Sequence, residues 1–350
     1  KPRSFYEQAG VTLIHGTSVS AVNANAHTVT TDRFGTIRYG KLLLATGCVL
    51  RRLTVPGSDL HGIFYLRTLA DSDALKNEAR PGRTAVVMGG SFIGMELASG
   101  FAQKGLKTTL LHRGSAVFDK LGSPEASTFF ARHYTERGVL LRMEEEAAAF
   151  APHPSGDGSL EIRMTRGDTL RADIVAVGIG VTPDTSFLQG SGITVENGVI
   201  VNEYLEASVP DVYAAGDIAH FFDPLYERHR RIEHWDTAIQ HGKIAGANMA
   251  GKREAYDQVS YFFSDVFDLS FEYFGDAAET DQIILRGLFE EASVTVFYLR
   301  DRVVRAAFTM GRPKERAALV RLLKSRHRFA DPAVLADSSR SLGSHLDTAG

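Results

Sequence analysis

Four small residues in one stretch of the chain have the types and spacing of a phosphate-binding loop. An apolar run at residues 84–88 leads into Gly89, Gly90 and Ser91, and Gly94 follows three residues later. In a dinucleotide fingerprint the first glycine permits a tight turn, the second lets the backbone approach the pyrophosphate, and the third allows helix and strand to pack closely. Ser91 occupies the second of these positions. The stretch predicts a nucleotide-binding loop at a helix N-terminus, against the alternative of a plain glycine turn.

The end of the next predicted strand bears on which dinucleotide would bind. An NAD site usually has an acidic residue there for the ribose hydroxyls, whereas a cation suits the extra phosphate of NADPH. This chain has His112 and Arg113 at that place. The sequence therefore favours NADPH and keeps NADH open, because solvated surface is the alternative for both side chains.

Two further strand ends carry residues that suit a cofactor site. Residues 41–47 end in Ala45, Thr46 and Gly47, and residues 212–219 contain Gly216 and Asp217. Each segment alone could be a buried strand followed by a turn of small residues. Their order on either side of the phosphate-loop segment argues against a chance pattern.

The bulk composition excludes several classes of function. The chain has 350 residues, a formal net charge of −3 and 23% charged residues, which gives no basic field for nucleic acid or an anionic membrane. No apolar run approaches the length of a membrane span. The twelve histidines are scattered, so we expect no metal site. Cys48 is the single cysteine, which fits a reducing, cytoplasmic setting and is expected to be a small buried thiol rather than a nucleophile.

The predicted helices and strands that would position these residues indicate an α/β fold. Residues 83–180 alternate strand, helix and strand, which predicts a parallel sheet. The region from residue 258 changes to consecutive strands and one helix, as in a smaller mixed domain. Residues beyond 337 are rich in Ser, Gly and Asp, which predicts disorder. The predicted helices cover residues 70–79, 92–103, 124–137, 236–249 and 314–324. The predicted strands include a hairpin of residues 29–31 and 37–39 and single strands at 160–166 and 170–178.

Four stretches carry a resemblance to a known family: residues 64–74, 91–98, 232–249 and 261–275. In this order they resemble the FAD-dependent pyridine nucleotide-disulphide oxidoreductase superfamily, in its ferredoxin-reductase and apoptosis-inducing-factor-like branch. The resemblance implies two Rossmann-like dinucleotide-binding domains and a small α+β C-terminal domain. The implied divisions are an FAD domain at 1–79 and 188–257, an NAD(P) domain at 80–187, a reductase domain at 258–327, and a disordered tail at 328–350.

The resemblance also implies an incomplete FAD domain. Family members open with a strand, a glycine loop and a helix for the FAD adenylate, and the first match here, at Phe5, lies well inside their first domain. We therefore expect the N-terminal glycine loop to be missing from this sequence.

Site residues follow from the same resemblance, position by position. Those implied for FAD are Val19, Ala45, Thr46, Gly47, Arg67, Gly216, Asp217 and Trp235. Those implied for the nicotinamide dinucleotide are Gly89, Gly90, Ser91, Phe92, Ile93, Gly94, His112, Arg113, Gly178 and Gly180.

Phe92 and Trp235 from these sets, together with Glu96, are candidates for a direct role in the reaction. Phe92 could stack where nicotinamide meets flavin, and ordinary core packing is an equally good interpretation. Glu96, one turn further along the helix, could orient the nicotinamide amide, and the alternative is a surface acid. Trp235 would pack beside the flavin, and the helix that follows would direct its positive end toward flavin charge.

The implied function is a flavoprotein reductase that takes a hydride from NAD(P)H and passes single electrons to an iron–sulphur protein of the ferredoxin or Rieske type, as a monomer or homodimer. An NAD(P)H oxidase or a disulphide or peroxide reductase is the first alternative. A nucleotide-binding redox sensor with little turnover is the second. The basic run at residues 228–231 and the pair Arg51 and Arg52 suggest docking patches for an acidic iron–sulphur protein, with a solvated face as the default for each.

Overall fold

The structure is a computed structural model that describes residues 1–344. The helices within this range are α1 (Arg3–Gln8), α2 (Leu69–Glu78), α3 (Phe92–Gln103), α4 (Pro124–Glu136), α5 (Trp235–Met249) and α6 (Arg316–Ser325). The strands are β1 (Val19–Asn23), β2 (Thr28–Thr31), β3 (Gly35–Arg38), β4 (Leu42–Leu44), β5 (Cys48–Leu50), β6 (Ile63–Tyr65), β7 (Thr84–Met88), β8 (Lys107–His112), β9 (Leu140–Met143), β10 (Ala147–Pro152), β11 (Leu160–Met164), β12 (Thr169–Ala172), β13 (Ile174–Val177), β14 (Val181–Pro183), β15 (Val199–Val201), β16 (Val212–Ala214), β17 (Ala219–Asp223), β18 (Arg228–Arg230), β19 (Tyr261–Val266), β20 (Leu269–Gly275), β21 (Gln282–Leu288), β22 (Ser293–Arg300) and β23 (Val303–Met310).

The chain divides into two compact units. The first comprises Lys1–Val49 and Thr182–Gln258, and the second comprises Leu50–Val181 and the chain from Val259 onward. The division of the second unit into separate nicotinamide and reductase domains stays a prediction.

The first unit contains three small sheets around its own apolar core. Strands β1, β2 and β3 form an antiparallel meander, and the predicted hairpin is confirmed by the pairing of Val29 with Ile37. Strands β15, β17 and β18 form a second sheet. Strands β4 and β16 pair in parallel, with Leu44 opposite Ala214. Because these two strands run in the same direction, the segments that follow them leave from the same edge.

A five-stranded parallel sheet with the order β6-β13-β7-β8-β9 is the centre of the second unit. Its inner strands are apolar and buried, as expected for strands covered on both faces. The sequence predicted one strand over residues 170–178, which is wrong. Asp173 interrupts it, because its carboxylate accepts a hydrogen bond from the Thr84 N–H at 2.7 Å and separates β12 from β13.

The second unit also contains an antiparallel sheet with the order β19-β20-β23-β22-β21. This sheet and the parallel one confirm the predicted α/β class with a C-terminal antiparallel region. The predicted helix at 314–324 is observed as a short 3-10 turn, Pro313–Glu315, followed by α6.

The tail differs from its predicted disorder over residues 328–344. A 3-10 helix covers Pro332–Ala336, and the tail's buried side chains include Phe329, Leu335 and Leu342. Arg286, 2% exposed, donates hydrogen bonds to the carbonyl oxygens of Leu335, Asp337 and Arg340. The polar composition suggested disorder, but a buried guanidinium needs acceptors and the tail backbone supplies them. Residues 345–350 lie outside the described range.

Candidate functional site

The predicted phosphate loop connects β7 to α3 in the second unit, and close glycine contacts shape it. A Cβ atom on Gly94 would lie 1.9 Å from the Gly89 carbonyl oxygen. A Cβ atom on Gly89, whose φ is +122°, would lie 2.3 Å from the Gly178 carbonyl oxygen. The Gly178 N–H donates to the Met88 carbonyl at 2.8 Å. These contacts leave no room for side chains, so the loop backbone is held tight as a nucleotide-binding turn requires.

The N-terminus of α3 is open beside this loop. Ser91 is the N-cap residue in an extended conformation, and its side chain makes no capping hydrogen bond. The first N–H groups of the helix are therefore not occupied by that side chain, and the twelve-residue helix directs its positive end toward them. Ile93 is exposed in this first turn. A phosphate fits this arrangement.

His112 lies under the loop rather than facing outward. The Gly90 N–H donates to His112 Nδ1 at 3.1 Å, and a Cβ atom on Gly90 would lie 2.6 Å from the ring. The second nitrogen, Nε2, is 3.7 Å from the Asp119 carboxylate. The sequence argument treated His112 as a cation for an NADPH phosphate, but its ring supports the loop backbone. Arg113 is the exposed cation of the pair.

Phe92 and Glu96 lie on α3 in different surroundings. Phe92 is half-buried, with its ring centroid 4.6 Å from that of Phe262 and 5.7 Å from that of Phe118. This is the core packing that the sequence left open beside a stacking role. Glu96 Oε1 accepts a hydrogen bond of 2.5 Å from Ser264, which is 2% exposed. Glu96 as a residue is exposed, as the surface-acid alternative expects. Desolvation of its carboxyl group nevertheless raises its pKa, and the hydrogen bond from Ser264 opposes this rise.

The remaining predicted residues of this unit lie in turns. Arg67 is exposed, and its main-chain N–H donates to the Asp71 carboxylate at the start of α2. Gly180 has a φ of +97°, and its carbonyl oxygen accepts the N–H of Arg51 at 3.0 Å. Neither contact involves the phosphate loop directly.

In the first unit, the two predicted flavin segments come together because β4 and β16 are paired. The Ala215 N–H donates to the Leu44 carbonyl at 3.0 Å, which places the turn after β16 beside the turn after β4. Ala45 and Thr46 are exposed, and Gly47 has a φ of +69°. Val19, on the edge of the β1–β3 meander, is also exposed.

The turn after β16 meets the beginning of α5. Gly216 is buried with a φ of +74°, and a Cβ atom on it would lie 3.3 Å from the Cβ atom of Ala238. Asp217 is half-buried, and Trp235, the first residue of α5, is 75% exposed. An exposed indole at a helix N-terminus, beside a tight turn at a glycine of positive φ, fits the edge of a flavin.

Sequence reasoning missed several residues that hold these segments. Arg231 NH1 donates to the Asp217 carbonyl, and Cys48 lies beside this contact. His241 is fully buried in α5, and its Nδ1 accepts the Gly216 N–H at 3.3 Å. No sequence signal separates these residues from ordinary core and surface positions, because their partners lie at least 14 residues away in the chain.

Two arginines of the basic run at residues 228–231 are largely covered and held in ion pairs, which weakens the docking hypothesis for this run. Arg230 forms an ion pair of 2.8 Å with Asp223, and the two side chains are 10% and 2% exposed. Arg231 is 9% exposed and forms an ion pair of 2.6 Å with Glu233. Strand pairing of β17 with β18 brings Arg230 close to Asp223, which a linear pattern of charges does not reveal.

None of the helices in residues 1–344 combines the length and the apolar character that crossing a membrane requires.

Comparisons with known proteins agree with this geometry. Residues 3–242 match the family model "Pyridine nucleotide-disulphide oxidoreductase", and residues 261–346 match "Reductase C-terminal". The chain is 34% identical to the 5,5'-dehydrodivanillate O-demethylase ferredoxin reductase subunit of a Sphingobium strain, covering 90% of this chain and 76% of that protein. It is 32% identical to the ferredoxin–NAD(+) reductase component of the anthranilate 1,2-dioxygenase system of Burkholderia cepacia, covering 98% and 84%.

A solved structure shows the same likeness in three dimensions. The covalent complex of putidaredoxin reductase with putidaredoxin superimposes with a TM-score of 0.94 at 28% identity, covering 99% of this chain and 84% of that one. The family model, the relatives and the glycine loop agree. The chain belongs to the pyridine nucleotide-disulphide oxidoreductase family and is an FAD-dependent NAD(P)H oxidoreductase of the ferredoxin-reductase type.

Proposed function

We propose that this chain moves electrons from NAD(P)H, by way of FAD, to an iron–sulphur protein of the ferredoxin or Rieske type. The observation that carries the proposal is the close backbone packing of Gly89, Gly94 and Gly178 beside the open N-terminus of α3. The names of the relatives supply the class of acceptor, since they are described as reductases of ferredoxins. When bound, FAD supplies the conversion of a two-electron hydride donor into one-electron steps.

In this proposal the loop and α3 hold the nicotinamide dinucleotide. Ser91 and Ile93 contribute the first N–H groups of the helix to the pyrophosphate. Gly178 packs against the backbone of Gly89 and Gly94, and Gly180 is assigned to this site by the resemblance alone. Glu96 accepts a hydrogen bond from the nicotinamide amide and so fixes the ring's orientation.

The choice of coenzyme rests on Arg113. An exposed guanidinium suits the phosphate of NADPH, and this supports NADPH with NADH still open. The Burkholderia relative carries NAD(+) in its name, which supports NADH. His112 serves both coenzymes equally in this proposal, because it orients the Gly90 backbone.

In this proposal the flavin is bound by residues in the turns after β4 and β16 and at the start of α5. Asp217 accepts hydrogen bonds from ribityl hydroxyls, Gly216 admits the pyrophosphate, and Trp235 covers the ring edge. Residues Val19, Ala45, Thr46 and Gly47 of the same unit complete the proposed contacts, and Arg67 is assigned to FAD by the resemblance alone. Phe92 packs in the core and leaves its exposed part for the nicotinamide. We also propose that the chain works in the cytoplasm as a monomer or homodimer.

An anaerobic reduction experiment tests the proposal. The chain is loaded with FAD, freed of unbound flavin and mixed with NADH or NADPH without oxygen. Loss of the visible absorption of bound flavin on mixing is the expected result, because the hydride reduces the isoalloxazine. A chain that stays colourless after FAD is added, or a bound flavin that neither coenzyme reduces, contradicts the proposal.

A further inference from the structure

The turn that carries Asp217 is held by a buried network in the first unit. Its main-chain carbonyl accepts a hydrogen bond of 3.2 Å from Arg231 NH1. Cys48 Sγ lies 3.6 Å from the same carbonyl oxygen and 3.3 Å from the same guanidinium nitrogen. The inner side of the turn is therefore fixed by a buried thiol and by a guanidinium side chain that is 9% exposed.

Arg231 uses the rest of its guanidinium group to hold its own position. Its Nε donates to Asn197 Oδ1 at 3.2 Å, and NH2 lies 2.6 Å from Glu233 Oε1. A guanidinium presents its donors in a rigid planar fork, so one arginine can connect three acceptors at fixed angles. A lysine keeps the charge but cannot make this set of contacts.

The neighbouring backbone is shaped around Arg231. Gly198 has a φ of +119°, and a Cβ atom on it would lie 2.5 Å from the Ile218 carbonyl oxygen and 3.2 Å from Arg231 Cδ. Only glycine allows the 197–198 turn to pack this closely on both the arginine and the end of the Asp217 turn. The arginine stem is thus enclosed as well as hydrogen-bonded.

The other end of the turn is held from α5. The Gly216 N–H donates to Nδ1 of His241, whose ring is fixed by edge contacts with Phe221 and Tyr256 at centroid distances of 4.7 and 4.4 Å. Burial lowers the pKa of His241 to about 3, so the ring is neutral and keeps a lone pair for this bond. One end of the turn accepts a hydrogen bond from Arg231, and the other donates one to His241.

We propose that Arg231 is a positioning residue that sets the backbone of Asp217 for FAD binding. This inference rests on the proposed function, in which the Asp217 carboxylate binds the flavin ribityl chain. In this proposal Arg231 acts through the Asp217 carbonyl and not by direct contact with the cofactor. A purely structural ion pair is the competing explanation, and Arg230 with Asp223 provides a matched example in the preceding residue.

The test compares Arg231→Lys with Arg230→Lys in the full chain stripped of flavin. The dissociation constant for FAD is measured by quenching of flavin fluorescence, and the urea midpoint of each apo variant is measured beside it. Arg231→Lys is expected to weaken FAD binding about tenfold or more, as loss of a charge-assisted hydrogen bond does. Arg230→Lys is expected to lower the urea midpoint similarly and to leave the FAD dissociation constant within about twofold.

Glu233→Gln is a second variant that should fold, because Glu233 is partly exposed. It removes the carboxylate that orients the guanidinium, and we expect FAD to bind about threefold more weakly. If Arg231→Lys does not fold, Glu233→Gln decides alone. FAD affinity equal to wild type in every folded variant at Arg231 and Glu233 overturns the inference and leaves the proposed function standing. A wild-type chain that binds no FAD overturns both.

Discussion

At the scale of single residues, the Ser264 hydrogen bond favours the ionised form of Glu96. Desolvation raises the pKa of Glu96, and the Ser264 hydrogen bond lowers it again. Ser264→Ala removes only the lowering effect, so the pKa rises further. A carboxylate that accepts the nicotinamide amide must be ionised. We therefore expect the acidic limb of kcat/KM for NAD(P)H to move to higher pH in this variant.

A pH profile of coenzyme-dependent ferricyanide reduction measures this shift. Ser260→Ala is the matched control, because Ser260 is also buried and donates to a backbone carbonyl, that of Gly275. Identical acidic limbs in Ser264→Ala and wild type would show that Glu96 does not govern coenzyme use.

Substitutions of His112 and Arg113, at the end of β8, should affect the use of NADH and NADPH differently. His112→Ala removes the acceptor of the Gly90 N–H and should lower kcat/KM for NADH and NADPH alike, while His112→Asn restores part of it through its amide oxygen. Arg113→Ala should lower kcat/KM only for NADPH, by about tenfold if one phosphate contact is lost. An equal loss with both coenzymes in Arg113→Ala would refute its assignment to the NADPH phosphate.

Buried His241 should make the protein sensitive to acid. The pKa of His241 is lowered from 6.5 to about 3 in the folded protein. Between these two pH values His241 is therefore protonated in the unfolded chain and neutral in the folded chain. The free energy of unfolding therefore falls as pH drops from about 6.5 toward 3, by about 1.4 kcal/mol per unit. Urea midpoints at several pH values should show a shallower fall in His241→Gln than in the exposed control His229→Gln. Parallel curves would contradict this role for His241.

At the scale of elements, two glycines of α3 should respond in opposite directions to the same change. Gly94→Ala forces a methyl group against the Gly89 carbonyl, which should cost about 1–3 kcal/mol and loosen the phosphate loop. Gly100→Ala meets nothing within 4 Å and should stabilise the helix by about 1 kcal/mol. Urea unfolding and the NAD(P)H dissociation constant measure both effects. Unchanged coenzyme binding in Gly94→Ala would show that close packing of helix and strand is not needed.

The elements themselves were largely predictable, and the exceptions have physical causes. The loop strand at 84–88 and the helix at 92–103 were predicted with the observed bounds, because an apolar run and a glycine loop mark them locally. The break at Asp173 depends on the distant Thr84 N–H, so no local pattern indicates it. The ordered tail depends on Arg286, about fifty residues earlier in the chain.

The positions of some candidate site residues could be predicted from the sequence, and their roles stay predictions. Gly89, Gly94, Gly216 and Trp235 follow from spacing and resemblance. The inward turn of His112 and the ion pair of Arg230 with Asp223 do not, because both are set by partners across a sheet or loop.

At the scale of the whole molecule, the central claim is the path of electrons from NAD(P)H to an iron–sulphur protein. The most direct measurement is a turnover experiment with the FAD-loaded chain, NADH or NADPH, and an oxidised ferredoxin or Rieske-type protein. Coenzyme oxidation, reduction of the iron–sulphur centre and hydrogen peroxide are followed together. The account predicts two reduced iron–sulphur centres for each coenzyme oxidised, with little peroxide. Coenzyme oxidation that yields peroxide, or reduces a disulphide, while the iron–sulphur protein stays oxidised would contradict it.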